Sequence, residues 1–306
     1  MKLKNMISPA LLLLAAMLWG FAFAAQARAA VIGAFALGAA RSFLAAAFLT
    51  LAVVIADRLT GSERHLFSIK RAPFNRSELI GGVICGAILA FASALQQIGI
   101  NNGTDSGKAA FITALYVVLV PVYSLTMGKR APVNVWIGVG ISVVGFYLLC
   151  IKTDFSILPS DLLVLGCAVI FPIHILTIDR FSPKCDGMRM SLVQFLSAGI
   201  INSIISLIAE NPAEQLSAVF GNFLPVLYLG IVSSGIAYTL QIIGQRNVNP
   251  AAASIILSLE SVFGVIGTAL FIGTSLTLRE YIGCAIVLAA VILSQLEFGK
   301  SNSNRP

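Results

Sequence analysis

Ten apolar stretches, each about as long as a membrane-crossing helix, constrain this chain more than any motif does. They fall at residues 9–27, 34–56, 79–100, 106–127, 134–151, 160–178, 189–209, 222–244, 250–272 and 280–297, and charge is confined almost entirely to the breaks between them. About 20 residues of helix cross the ~30 Å hydrocarbon layer of a bilayer. The pattern therefore predicts an all-α integral membrane protein of ten spans. Only 11% of the residues are charged, against about 25% in soluble domains. The longest polar gap, Asp57–Ser77, leaves no space for a soluble domain.

The formal net charge of +7 reports topology rather than a polyanionic partner. Basic residues such as Lys2, Lys4, Arg58, Arg71, Arg130, Arg180 and Arg246 gather on one side of the ten predicted spans. The other side holds Arg28, Lys108, Lys152 and Arg279. Positive residues accumulate in cytoplasmic loops, so both termini are expected in the cytoplasm and no nucleic acid is expected as partner. The five cysteines are scattered, odd in number and mostly within spans, which argues against both a disulfide framework and a metal site.

The chain also repeats itself. Ala92, Leu95-Gln96, Ile98-Gly99 and Asn102 return 145 residues later as Ala237, Leu240-Gln241, Ile243-Gly244 and Asn247, and Gly138 returns as Gly283. At an offset of 152, Ser8, Leu11, Leu13 and Arg28 meet Ser160, Leu163, Leu165 and Arg180. The change of offset matches the longer gap at Asp57–Ser77 in the first half. It also places the first run inside the repeat, so that run is expected to be retained rather than cleaved as a signal peptide. The units are 1–152, holding the first five spans, and 153–306, holding the last five. An odd number of spans per unit puts the copies in opposite orientation, an inverted repeat of the kind from which secondary transporters are built.

Trp19-Gly20 in the first span, Arg41 in the second, Gly107–Leu125 and Asn249–Gly283 resemble the EamA-type family of the drug/metabolite transporter (DMT) superfamily. The resemblance covers essentially the whole chain. It implies two inverted five-helix repeats and a carrier of small metabolites, often working outward and often driven by a proton gradient or by exchange. Two departures stand out. Glu260 is followed by Ser261 where the family usually has proline, which removes the usual signal for a kink there. Gly273-Thr274-Ser275, followed by Arg279-Glu280, replaces a common Gly-Glu-Arg turn.

Polar side chains inside a bilayer are costly and face a cavity or one another, so they nominate the site. Glu260 lies near the middle of the ninth span, either as a coupling acid for a proton or as a packing residue bonded to neighbouring helices. Gln96 and Gln241 are repeat equivalents on the third and eighth spans, expected to border a substrate cavity or to bond between helices, with Tyr238 one turn before Gln241. His174 follows Pro172 in the sixth span, where a bent helix would mark a binding region. A neighbouring helix would otherwise satisfy the imidazole. Tyr116 and Thr113 share one face of the fourth span, and Trp19 sits near mid-span, away from the interface where tryptophan concentrates. Arg41, seven residues into the second span, is expected near the outward mouth, and with Glu260 it would suit a zwitterion. Asp105 and Asn249-Pro250 read as helix caps, and Gly82-Val83-Ile84-Cys85-Gly86 as a close-packing surface.

No catalytic residues, metal ligands or cofactor are predicted. His65 and His174 are far apart in topology, and no hydrolase or metalloprotease motif is present. The sequence thus points to a secondary active transporter of the cytoplasmic (inner) membrane. It would move a small-molecule substrate, an amino acid or related compound, by alternating access with a coupling proton. The alternative is a lipid or lipid-linked substrate translocase of the same fold.

Overall fold

In hydrocarbon every backbone amide must be bonded inside the protein, and helices do this within a single segment. A computed structural model of the protein describes residues 2–59, 74–150, 157–272 and 277–295, and these are all helix, turn or short connection without a strand. Most of the Asp57–Ser77 gap, His65 and the Gly273-Thr274-Ser275 turn lie outside the described residues.

The first half contains α1 (Lys2–Arg28), α2 (Ala34–Leu59), α3 (Arg76–Asn101), α4 (Ser106–Ala114), α5 (Tyr116–Thr126) and α6 (Val133–Cys150). The second begins with α7 (Pro159–Phe181), α8 (Gly187–Ala209), α9 (Pro212–Gly221) and α10 (Phe223–Leu227). A π-helical segment (Tyr228–Ile236) joins α10 to α11 (Ala237–Gln245), and α12 (Pro250–Leu257), α13 (Glu260–Ile272) and α14 (Leu278–Gln295) complete the chain. Among the described residues eight helical stretches are long and apolar enough to cross a membrane, and Val133–Leu149 adds a shorter one. The last expected run, 280–297, falls on α14. The protein is a multi-pass membrane protein.

Three of the expected spans are interrupted. The fourth breaks at Leu115, between α4 and α5, with Pro121 just downstream. The ninth breaks at Ser258-Leu259, immediately before Glu260, although no proline is present. Serine supplies the cause: Ser254, Ser258 and Ser261 each donate a hydroxyl to the carbonyl three residues back, at 2.8 Å in each case. Such back-bonding competes with the helical ladder and bends it. The eighth span carries the π segment. Asp105 and Asn249 do cap α4 and α12, accepting from the amides of Gly107 at 2.9 Å and Ala251 at 3.0 Å.

Small residues bring the helices together. α6 lies along α14, α2 along α8, and α3 against both α7 and α8, while α1 runs beside α11 and α13. Gly145 and Gly283 face each other across α6 and α14, each close to the other's carbonyl. Gly82 and Gly86 of α3 admit Val193 and the Gln194 carbonyl of α8, as the glycine pattern predicts. Gly20 lets α1 lie directly on the backbone of Glu260 and Gly264. These approaches draw α1, α3, α7, α11 and α13 around one centre.

Candidate functional site

At that centre lies a narrow cavity of about 40 Å³. All eight side chains nominated from the sequence line it: Trp19, Arg41, Gln96, Tyr116, His174, Tyr238, Gln241 and Glu260. They come from α1, α2, α3, α5, α7, α11 and α13, and so from both halves of the chain. The helix breaks position two of them. Tyr116 opens α5 and Glu260 opens α13, and the Tyr116 hydroxyl lies within hydrogen-bonding reach of the Glu260 carboxylate.

Much of the wall is held by hydrogen bonds that leave little slack. On one side, Gln26 Nε2 donates to Gln96 Oε1 and Gln96 Nε2 donates to Thr113 Oγ1, both at 2.9 Å, linking α1, α3 and α4. Across from this chain, Trp19 Nε1 donates to the Ser233 carbonyl at 2.9 Å. That carbonyl belongs to the π segment, where the i→i+5 pattern changes which groups face the centre. Arg41 reaches the same segment, donating from Nε to Ser234 Oγ at 2.9 Å and from Nη2 to Ser233 Oγ at 3.4 Å. Its guanidinium is thus part of the cavity wall. An aromatic group surrounds Tyr238, with ring centroids of Trp19 at 4.6 Å, Phe195 at 5.6 Å and His174 at 5.7 Å.

His174 combines both of its expected environments. It lines the cavity and its Nε2 lies 3.1 Å from Gln194 Oε1 on α8. The glutamine pair is not equivalent in its bonding: Gln96 sits in the hydrogen-bonded chain, whereas the buried Gln241 Oε1 has no partner. Glu260 Oε1 and His174 Nδ1 are likewise buried and unpartnered. Among the described residues no group of three or more His, Cys, Asp or Glu is placed to hold a metal ion.

Several wall residues were not singled out from sequence, Gln26, Ser93, Phe171 and Ser233 among them. Gln26 was accessible in principle, since Trp19, Ala22, Phe23 and Gln26 follow the i, i+3, i+4, i+7 stripe of one helix face. Phe171 and Ser93 carry no such mark, being an ordinary aromatic and a small hydroxyl in apolar runs. Ser233 depends on the π turn, which a 3.6-residue period does not anticipate.

Polar ties join helix ends on both faces of the bundle. On the face holding the N-terminus, Glu78 accepts from the Asp186 amide at 2.9 Å, Arg246 donates to the Cys185 carbonyl, and Lys129 pairs with Asp179. Burial in this corner lifts the Cys185 thiol to about 11 and raises the Asp186 carboxyl above its ordinary value. On the opposite face Lys108 pairs with Asp161, which also accepts from Thr104 at 2.9 Å. There the Glu210 carboxylate caps the start of α2 through the amides of Phe35 at 3.1 Å and Ala36 at 2.8 Å.

A polytopic helical bundle built around a polar central cavity has the architecture of a membrane transporter, and the comparisons with known proteins agree. Residues 158–296 match the EamA-like transporter family. The inner membrane transporter YedA of Escherichia coli K12 is 28% identical over 256 residues, covering 83% of this chain and 79% of YedA. A transporter of Archaeoglobus fulgidus is 29% identical over 205 residues, which is 66% of this chain and 64% of the archaeal one. The match thus spans a little under two thirds of that relative's length. One crystal structure superposes with a TM-score of 0.72 at 16% identity, covering 94% of this chain and 96% of its own, and so shares the fold. The second half of the chain is thus similar to the EamA-like transporter family, and the relatives it resembles are named as transporters.

Proposed function

We propose that the protein is a secondary active carrier of the cytoplasmic membrane that moves a small metabolite, an amino acid or related compound, by alternating access. The observation that carries this reading is the convergence of polar side chains from both halves on one small buried cavity. Its lining of amides, hydroxyls, a carboxylate and aromatic rings suits a polar solute. Glu260 is the coupling acid in this scheme: it sits where the ninth span breaks, its carboxylate bonded to one tyrosine and open on the other oxygen.

The two halves act as inverted five-helix units, residues 1–152 and 153–306. Support comes from the breaks at Leu115 and Ser258-Leu259, from the matched caps Asp105 and Asn249, and from the facing glycines of α6 and α14. Two near-equivalent units offer two near-equal ways to rock about a fixed site. The basic-residue asymmetry supports cytoplasmic termini.

The translocase alternative has one observation in its favour. A wide groove of about 680 Å³ opens between α3, α5 and α7, lined by Ile84, Met127, Ile173, Leu176 and Phe181 with Arg180 at one end. Such a groove would suit an acyl chain and a headgroup. Counterflow in proteoliposomes separates the readings, using labelled amino acids, nucleoside-type metabolites and organic amines with and without an imposed pH gradient. Saturable accumulation of one class is the expected result. Lipid scrambling by the same vesicles with no solute accumulation would replace the carrier with a translocase.

A further inference from the structure

We infer that the groove between α3, α5 and α7 holds one anionic phospholipid of the bilayer leaflet at the N-terminal face, with its phosphate on Arg180 and an acyl chain along Ile84, Met127, Ile173 and Leu176. This site is separate from the central cavity and goes beyond the carrier reading.

Two helical stripes build the groove. On α7, Ile173, Leu176, Thr177 and Arg180 follow the i, i+3, i+4, i+7 spacing of one face, and on α5 Tyr123, Thr126 and Met127 follow the same rule. Phe171, His174 and Ile175 of α7 face the central cavity instead, so the helix separates the two spaces. Phe181 lies against Gly81 of α3, where an added methyl group would meet the ring at 2.8 Å, and this brings α3 in as the third wall. The groove is open to lipid: Ile84, Met127 and Ile173 are 40%, 46% and 46% exposed.

Depth assigns the occupant to one leaflet. Ile173 lies seven residues before Arg180, about 10 Å along the helix, and half of the hydrocarbon layer is about 15 Å. On α3, Ile84 lies at a similar depth from the helix start at Arg76. The apolar wall thus runs from the headgroup boundary toward the midplane and stops there. That length suits the chain of a resident lipid and falls short of a path between leaflets.

Charge assigns the headgroup. Among the described residues the exposed Arg180 guanidinium has no acidic partner, because the neighbouring Asp179 is paired with Lys129. Arg130, three residues beyond Met127, is exposed on the same face and adds to the positive potential at the mouth. Arginine presents a planar fork of donors that matches phosphate oxygens, and basic pockets between membrane helices recognise anionic headgroups. Phosphatidylcholine would bring its own cation to this mouth, whereas phosphatidylglycerol brings a net negative charge. A free anion would use Arg180 and leave the apolar wall beneath it uncovered.

The test is native mass spectrometry of the full chain in mild detergent, titrated with phosphatidylglycerol and phosphatidylcholine of identical acyl chains. One phosphatidylglycerol should stay bound per chain, about fivefold or more tightly than phosphatidylcholine, as attraction between one basic residue and an anionic headgroup implies. It should also raise thermal stability more than phosphatidylcholine does. Arg180→Gln should shrink the ratio toward one. Arg28→Gln, which removes an exposed cation at the opposite face, should leave the ratio unchanged. Ile173→Trp, filling the groove from an exposed position, should reduce retention of both lipids. Equal retention of the two lipids by the parent protein overturns the inference, as does a preference that survives Arg180→Gln or falls equally with Arg28→Gln. Unchanged retention in Ile173→Trp puts the lipid outside the groove and overturns it too. In proteoliposomes, transfer of labelled lipid between leaflets that Arg180→Gln abolishes would make the groove a cargo path and replace resident binding with translocation. Solute counterflow enters none of these readouts, so the carrier reading stands or falls separately.

Discussion

Glu260 carries the sharpest expectation at the scale of single residues. Replacing it by glutamine keeps the shape and leaves an oxygen to accept from Tyr116, so the fold should survive while the exchangeable proton is lost. In the Glu260→Gln carrier, flux should no longer respond to an imposed pH gradient, and uptake in exchange mode should fall by about tenfold or more, a loss equivalent to ~1.4 kcal/mol. A pH response equal to that of the parent protein, in vesicles with matched protein content, would remove Glu260 from coupling. Residues of this kind were legible in the sequence because a polar group in hydrocarbon announces itself by its cost. That argument drew Trp19, Gln96, His174, Gln241 and Glu260 into one set before any contact was known. It could not say which were already satisfied. Gln96 and Gln241 look alike by repeat position, yet one is bonded at both ends and the other leaves its oxygen free. The difference depends on Gln26 and Thr113, which come from other helices.

At the scale of helices, the spans were readable from apolar length while their interruptions were not. The missing proline after Glu260 pointed away from a break, and three serines bonded to their own helix produce one. The π segment is equally hidden, since Gly230, Ser233, Ser234 and Gly235 read as ordinary small residues in an apolar run. Close packing, by contrast, was written in the glycines of α3. A methyl group at Gly86 would press on the Gln194 carbonyl, which is backbone and has nowhere to move. Gly86→Ala should therefore lower thermal stability, by about 1–3 kcal/mol on the scale of overpacked cores. It should also weaken substrate binding, because Gln194 holds His174. Gly140→Ala is the control: nothing lies within 4 Å of the added carbon, and stability should hold or rise slightly. If the two variants melt together, backbone contact at Gly86 is not what sets the α3–α8 distance.

The proposed alternating access would make a demand on the molecule as a whole, because each face must part while the other stays joined. The ties described above fall into two sets by face, and each set includes a lysine–aspartate pair. Lys129 with Asp179 joins the end of α5 to α7 on the N-terminal face, and Lys108 with Asp161 joins the start of α4 to α7 on the other. Both act on α7, the helix that also carries Phe171 and His174 into the cavity. Removing one tie should bias the bundle toward opening at that face. A shift of ~1.4 kcal/mol between two states changes their ratio about tenfold, so even a partly exposed ion pair has leverage if the open and closed forms are close in energy. The cavity residue Ser93 offers a reporter, changed to cysteine in a carrier whose native cysteines have been replaced. With Asp179→Asn, a membrane-impermeant thiol reagent should label that position several-fold faster from the N-terminal face, and with Asp161→Asn faster from the opposite face. Acceleration from a single face by both changes would mean that the ties do not gate opposite sides. No acceleration in either variant would mean that the energy separating the states lies in the helix packing and not in these ion pairs.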